Sequence, residues 1–389
     1  MKELDFHKGS IGEALEEIKE RFWEDSMEYT RGLLKTLLEK SLEEERERYV
    51  GAGWHEPGEE RVDYRNGYYV REVVTGQGLL RGVRVPRVRK KGLRYKVLER
   101  YRRYRPEVEE QVLAMYVRGI STRQVGPVLE RLLGAGVSAA TVSRIARRLD
   151  AQVREFHQRP LEDRYLYLVL DGIHMKIKSP LGVQSRVVLC AVGIQENGKR
   201  ELIDFRLMRS ESGPAWEGFL NNLYRRGLTG ERLRLIVTDG GTGMLAGVSL
   251  VYPWPLLQRC WVHKLRNVAV KLPRKLQAAC LRELKAVYQA GSVRQACEVF
   301  QHWKQTWLKV VPKAVACVEQ DLDSLLAFLA CPPQHWKTIR TTNLIERLFR
   351  EVRRRTRPMS CFNHDFSCER VMYAVLSHQN AKWENAHAF

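Results

Sequence analysis

The chain has 389 residues and an apolar share of 44%, too long for one core and consistent with about two or three domains of a globular protein. Its longest apolar runs, such as VVLCAVGI at 187–194, fall far short of a membrane span. The acidic N-terminus has no continuous apolar stretch, so neither a membrane protein nor a secretory leader is expected. Eight cysteines without a dense framework point to a reducing compartment, the cytoplasm, where a net charge of +20 favours association with the nucleoid.

That charge is segregated. Residues 1–60 carry 9 Lys/Arg against 17 Asp/Glu, a net of −8, and residues 61–105 carry 15 against 3, a net of +12. With no lipidation motif or basic amphipathic anchor, the polyanion expected as partner is nucleic acid. The acidic segment 1–60 reads as helix to residue 48, with Leu33, Leu34, Leu37, Leu38 and Leu42 at helical spacing, and as a Gly- and Pro-containing loop beyond. It is a candidate for dimerisation or regulation. Residues 61–105 read as a basic β-rich DNA-binding unit: aromatic and β-branched residues alternate with Arg and Lys, and Asn66-Gly67 signals a turn. Its candidate DNA contacts are Arg84, Arg87, Arg89, Lys90 and Lys91.

From Pro106 the period becomes helical. Three short helices over 106–150 have the layout of a helix-turn-helix, whose last helix enters the major groove. In that last helix, SAATVSRIARRLD, Ser138 can cap the start and Val142, Ile145, Ala146 and Leu149 form the apolar face. Thr141, Arg144, Arg147 and Arg148 then point outward, and Arg123 joins them from the preceding helix as a candidate contact.

Residues 151–263 hold apolar runs at 165–177, 185–194, 201–208 and 232–238 that alternate late with helices, which predicts a mixed α/β sheet. Asp171 lies in the first run, YLYLVLDGIHMKIK, and Asp239 ends the fourth, LRLIVTDGG. If those strands are neighbours, the two carboxylates meet. Residues 264–336 are wholly helical, with Trp303, Trp307 and Trp336 expected as bundle core or, less favoured, as stacking platforms for an extruded base. The basic positions Lys264, Arg266, Lys271, Arg274 and Lys275 of this stretch are expected to face DNA. Residues 337–389 carry TTNLIERLFREVRRRTR, where Glu346 offers a third carboxylate and Arg353, Arg354 and Arg355 a grip for DNA phosphates. Glu351 is five residues from Glu346, about 500° around a helix, so the two do not share a face. Two aspartates at strand ends and a glutamate on a helix are what a two-metal phosphodiester site requires, and Mg²⁺ suits such oxygen donors. Cys260 and His263, with Cys361 and His364, have zinc-like spacing but lack a compact finger. Cys260 is expected behind the site, His263 beside a carboxylate or phosphate, and Asn343 as a helix cap or positioning group.

The blocks VTDGGTGMLAGVSLVYPWPLLQRCWVHKLRNV and RTTNLIERLFREVRRRTRPMS, together with RVDYRNGYYVRE, VPRVRKKG and LVLDGIHMKIK, resemble those of the mutator-type transposases of bacterial insertion sequences, over roughly residues 60–385. The resemblance implies a multidomain α/β protein: a ribonuclease-H-like core in two parts, 151–263 and 337–389, interrupted by an all-α insertion at 264–336. It further implies an acidic triad of Asp171, Asp239 and Glu346, two Mg²⁺ ions for which Mn²⁺ substitutes, and a homodimer on double-stranded DNA. The DNA would comprise terminal inverted repeats and target, processed through a circular intermediate. The competing reading is a non-catalytic DNA-binding regulator or a domesticated transposase that keeps binding alone.

Overall fold

The computed structural model describes residues 11–52, 61–90, 92–99 and 102–383, and the chain divides into two compact units, Met1–Ala146 and Arg147–Phe389. Lys91 and the ends of the acidic segment, 1–10 and 53–60, lie outside the described residues.

In the first unit a long helix, α1 (Ile11–Val50), precedes an antiparallel hairpin of β1 (Arg65–Thr75) and β2 (Gly78–Val88). Leu34, Leu38 and Leu42 of α1 pack with Val73, Leu80, Val83 and Val85 of the hairpin, while Leu33 and Leu37, also of the predicted stripe, remain exposed. Acidic residues of the helix brace the basic segment through its backbone: Glu39 accepts from Arg84 N of β2 at 2.8 Å, and Glu45 from Lys96 N, beyond the hairpin, at 2.6 Å. Then come α2 (Pro106–Val117), α3 (Thr122–Leu133) and α4 (Ala139–Ala146). Ser138 caps α4 by accepting from Thr141 N at 3.1 Å. The predicted third helix is shorter than its apolar period implied. Arg147 and Arg148 form a turn and Leu149 opens the next helix, so these two arginines are not on the helix that carries Thr141 and Arg144.

The second unit opens with α5 (Leu149–Gln158), then β3 (Tyr165–Ser179), β4 (Gly182–Gln195), β5 (Arg200–Met208), α6 (Gly213–Arg225), β6 (Leu235–Thr238), α7 (Thr242–Val251) and β7 (Leu256–Arg259). The five strands form one mixed sheet in the order β5-β4-β3-β6-β7, antiparallel from β3 to β5 and parallel from β3 through β6 to β7. Leu168, Leu170, Leu189, Ala191 and Ile236 share a core with Trp216, Phe219 and Leu220 of α6 and Met244 and Val248 of α7.

A helical stretch follows: α8 (Trp261–Val270), α9 (Arg274–Val287), α10 (Val293–Trp307), α11 (Pro312–Glu319), α12 (Leu322–Leu326) and α13 (Trp336–Ile339). Trp303 and Trp307 are buried in its core, with indole N–H groups donating to Cys280 O at 3.2 Å and Glu283 at 2.7 Å, and Trp336 donates to Cys331 O at 2.7 Å. Trp303 and Trp307 are thus bundle core, while Trp336 is half-buried. Last come α14 (Asn343–Thr356), against β3, and α15 (Asp365–Trp383), against β3 and β5. Among the described residues no helix is long and apolar enough to cross a membrane.

Candidate active site

Strand register brings the two aspartates together. In the parallel β3–β6 pair, Val169 is opposite Val237. Asp171 and Asp239 each lie two residues further along, so they stand side by side and, by the alternation of strands, on one face. That face is opposite Leu170 and Ile236, which belong to the α6–α7 core, and it is the one on which α14 packs. Glu346 sits in the first turn of α14. The glycines after Asp239 make room for the turn: Gly240 has φ +86°, and a Cβ there would lie 2.5 Å from the Arg259 guanidinium. Gly241 N donates to Asp239 Oδ1 at 2.8 Å, and Gly172 N to Asp171 Oδ1 at 2.8 Å.

The electrostatics report the same clustering. Asp171 is 7% exposed. Burial pushes its carboxyl up to about 7, with help from the negative charges of Asp239 and Glu346 and against the Gly172 N–H and His263.

Two sequence-distant blocks are tied together beside it. Cys260, fully buried before the first turn of α8, accepts from Thr342 N at 3.2 Å and contacts Thr342 Oγ1 at 3.4 Å. Burial alone would raise the Cys260 thiol, but bonds from His263 and Thr342 outweigh it and hold the thiol low. His263 is raised, first by its bond with Cys260 and then by the charges of Asp171 and Glu346. Its Nδ1 is 3.3 Å from Thr342 Oγ1 and its Nε2 is 3.4 Å from Glu346 Oε1. Thr342 therefore does not cap α14 with its side chain. It belongs to the link between the α8 and α14 starts, while Asn343 is exposed in the first turn. Cys260→Ala is expected to leave the buried Thr342 N–H without an acceptor and to cost about 1–3 kcal/mol. A urea midpoint unchanged from that of the parent chain would show that this bond contributes nothing.

The candidate cations sort differently from their sequence order. Arg84, Arg87, Arg89 and Lys90 are exposed on or next to β2, as are Arg123, Arg144, Arg147 and Arg148 further on, while Thr141 is half-buried. Arg353 and Arg354 are exposed, but Arg355 is 6% exposed and bonds Met359 Sδ at 3.4 Å. It falls on the apolar face of α14 with Ile345, Leu348 and Val352, so it does not reach a phosphate from this position. Glu351 pairs with Arg354 at 2.8 Å, as its spacing predicts. Lys264, read as a DNA-facing charge, is instead buried against Asp321 and Cys317 O.

Two residues were missed, Glu211 and Arg200, and Arg266, expected to face DNA, instead grips a site carboxylate. Arg266 of α8 donates to both oxygens of Glu346, at 2.9 and 3.1 Å. Glu211, before α6, is raised by burial and by Asp239, and a Cβ on Gly172 would lie 3.1 Å from its Oε1, so it is a fourth carboxylate next to the aspartates. Arg200 joins Arg347 and Arg350 in lining a cleft of about 300 Å³. Burial, then the charge of Arg347, hold Arg200 low. The i, i+3 step from His263 to Arg266 puts both on one face of α8. The loop acid and the Arg200 cleft depend on tertiary placement alone.

As donors, Asp171, Asp239 and Glu346 offer the hard oxygens that Mg²⁺ takes, in a cluster of excess negative charge, so the set fits the ion. Among the described residues no three side chains are close enough to hold an ion as they stand. Glu346 has both oxygens engaged by Arg266.

Adjacent strand carboxylates with a helical glutamate beside them suit a class of enzymes that process phosphodiesters with divalent metal. Within that class the family described as "Transposase, Mutator family" matches residues 8–386, and the chain belongs to it. It is 35% identical over 359 residues, 92% of this chain and 89% of the relative, to the transposase for insertion sequence element ISRM5 of Rhizobium meliloti (strain 1021). It is 34% identical over 353 residues, 90% of each chain, to that for IS406 of Burkholderia multivorans. To that for IS256 in transposon Tn4001 of Staphylococcus aureus it is 31% identical over 357 residues, 91% of this chain and 90% of the relative.

Proposed function

We propose that the protein is the transposase of an insertion sequence, with a ribonuclease-H-like core whose Asp171, Asp239 and Glu346 hold divalent metal for strand cleavage and strand transfer. The observation that carries the reading is the β3–β6 register, which makes neighbours of two aspartates 68 residues apart in sequence. When bound, Mg²⁺ would activate the attacking oxygen and stabilise the leaving one at the phosphodiester. The chain's own residues fix the geometry. The two strands hold the aspartates, the Cys260–Thr342 link sets the start of α14 and with it Glu346, and His263 orients that carboxylate.

DNA recognition is assigned to residues 61–150, supported by the exposed arginines of the hairpin and the three short helices. The phosphates of the cleaved strand would pass Arg353, Arg354 and the Arg200, Arg347 and Arg350 cleft. Joining two DNA ends calls for a homodimer, and the exposed Phe22, Trp23, Tyr29, Leu33 and Leu37 of α1 make that helix the candidate contact. The helical stretch between β7 and α14 starts and ends at the site, so it is read as serving the DNA complex. Charge reversal at the exposed Lys271, Arg274 and Lys275 is expected to lower strand joining at least about tenfold, the scale of a few lost phosphate contacts, with the melting temperature unchanged. Normal joining by that variant would leave the stretch a structural brace.

The reading as a whole is tested by incubating the full chain with the terminal repeats found beside its gene. Nicking and end-joining that require Mg²⁺ or Mn²⁺ are expected. Binding without either reaction would favour a regulator that keeps only recognition.

A further inference from the structure

Arg266 and a metal ion would claim the same two atoms. The guanidinium forms a parallel fork on the Glu346 carboxylate, Nη1 to Oε1 at 2.9 Å and Nη2 to Oε2 at 3.1 Å. This two-bond arrangement uses both oxygens and fixes the carboxylate plane. His263, one turn earlier on α8, approaches the same Oε1 at 3.4 Å, so one helix face grips the glutamate.

Exposure of the two partners is unequal. The Arg266 side chain is 59% exposed and that of Glu346 is 22%. The guanidinium can withdraw into solvent at little cost, whereas the carboxylate cannot be left bare. Without a cation it would be a partly desolvated charge within reach of Asp171.

We propose that Arg266 is a positioning residue that controls access of the divalent metal to Glu346, the carboxylate joining the two aspartates only by exchanging the guanidinium for the ion. This rests on the reading of Asp171, Asp239 and Glu346 as the metal-binding set. The exchange is one cation for another, so Glu346 is never left unpaired. The released guanidinium stays beside the site on its open side, where the DNA must enter, and a fork that fits a carboxylate also fits a phosphate. Arg266 therefore couples closure of the carboxylate set to arrival of the strand to be cut.

The test is a Mn²⁺ titration of the full chain without DNA, read by loss of the free-ion electron paramagnetic resonance signal. Arg266→Gln is expected to bind Mn²⁺ about fivefold more tightly than the parent, the scale of a fork open to solvent on one side. Arg266→Lys keeps the charge but loses the fork, and about twofold tighter binding is expected. In a Glu346→Gln background the gain from Arg266→Gln is expected to vanish, because the two groups no longer share a ligand. An equal gain in that background would make Arg266 a mere nearby charge and overturn the proposal. Parental affinity in Arg266→Gln would overturn it too, and if that variant does not fold, parental affinity in Arg266→Lys decides in the same way. Failure of the underlying reading is distinct: Asp171→Asn and Asp239→Asn would then bind Mn²⁺ as the parent does.

Discussion

Asp171→Asn, Asp239→Asn and Glu346→Gln are each expected to lower strand cleavage and joining by about a thousandfold or more, the effect of losing several kcal/mol of charge stabilisation in the transition state. DNA affinity should stay within about twofold, since the phosphate contacts that dominate it lie on other residues. Each substitution keeps the side-chain shape and removes the charge that would hold the metal. The folded state should not suffer. Burial, more than the like charges of Asp239 and Glu346, pushes the Asp171 carboxyl up to about 7, so its ionised form is a burden on the fold. Asp171→Asn removes that burden, and a melting temperature equal to or above the parent's is expected together with the lost activity. This pairing separates a catalytic carboxylate from a structural one, whose removal would lower both. Strand joining near the parental rate in any of the three would take that residue out of the set.

These acids were legible because each interrupts a pattern. Asp171 and Asp239 break apolar runs that alternation and composition mark as strands, and a charged residue at such a point needs a reason. Their meeting was conditional on strand order, and the parallel β3–β6 pair fulfils the condition. The third helix of the first unit was misjudged for a physical reason. Val142, Ile145, Ala146 and Leu149 keep helical spacing across the turn at Arg147 and Arg148, so the apolar period continues where the backbone does not. Arg355 failed in the opposite sense. A run of arginines reads as a solvated face, yet a helix of three turns or more must turn one member of such a run toward the core. Its long aliphatic stem allows that burial.

The Arg266 fork on Glu346 spans 80 residues, and local spacing cannot supply such a pair. The tie between Cys260 and Thr342 spans 82 and joins two blocks that the sequence presents as separate motifs. It gives a packing reason for the cysteine. Its sulfur receives a backbone N–H at the start of α14, which a zinc role would have to displace. Cys361 and His364, the other half of that idea, flank Phe362, whose backbone bridges to β3 at Ile177.

The unit Met1–Ala146 is expected to bind DNA on its own with a steep salt dependence. The slope of log K against log salt should be near −5, equivalent to about a thousandfold loss of affinity between 50 and 200 mM salt. The acids of α1 take the backbone N–H groups of Arg84 and Lys96, and Glu47 pairs with the Arg65 guanidinium at 3.3 Å, which braces the basic segment. Arg84 lies over the Tyr68 ring at 4.4 Å and Arg89 over Tyr64 at 5.6 Å, contacts that hold both exposed side chains against the surface. Each phosphate contact releases condensed counterions and contributes about −0.9 to the slope. Arg84→Ala, Arg87→Ala and Arg89→Ala should therefore each flatten the slope by nearly one and weaken binding on any sequence. Substitution of Arg144, on the helix that would enter the major groove, should instead reduce the preference for the terminal repeat, since base contacts carry specificity and phosphate contacts carry affinity. The two classes are separable by comparing repeat and unrelated duplexes across a salt series. A flat response, or hairpin variants with the parental slope, would move the DNA contact off β2 and leave its arginines as a solvated face.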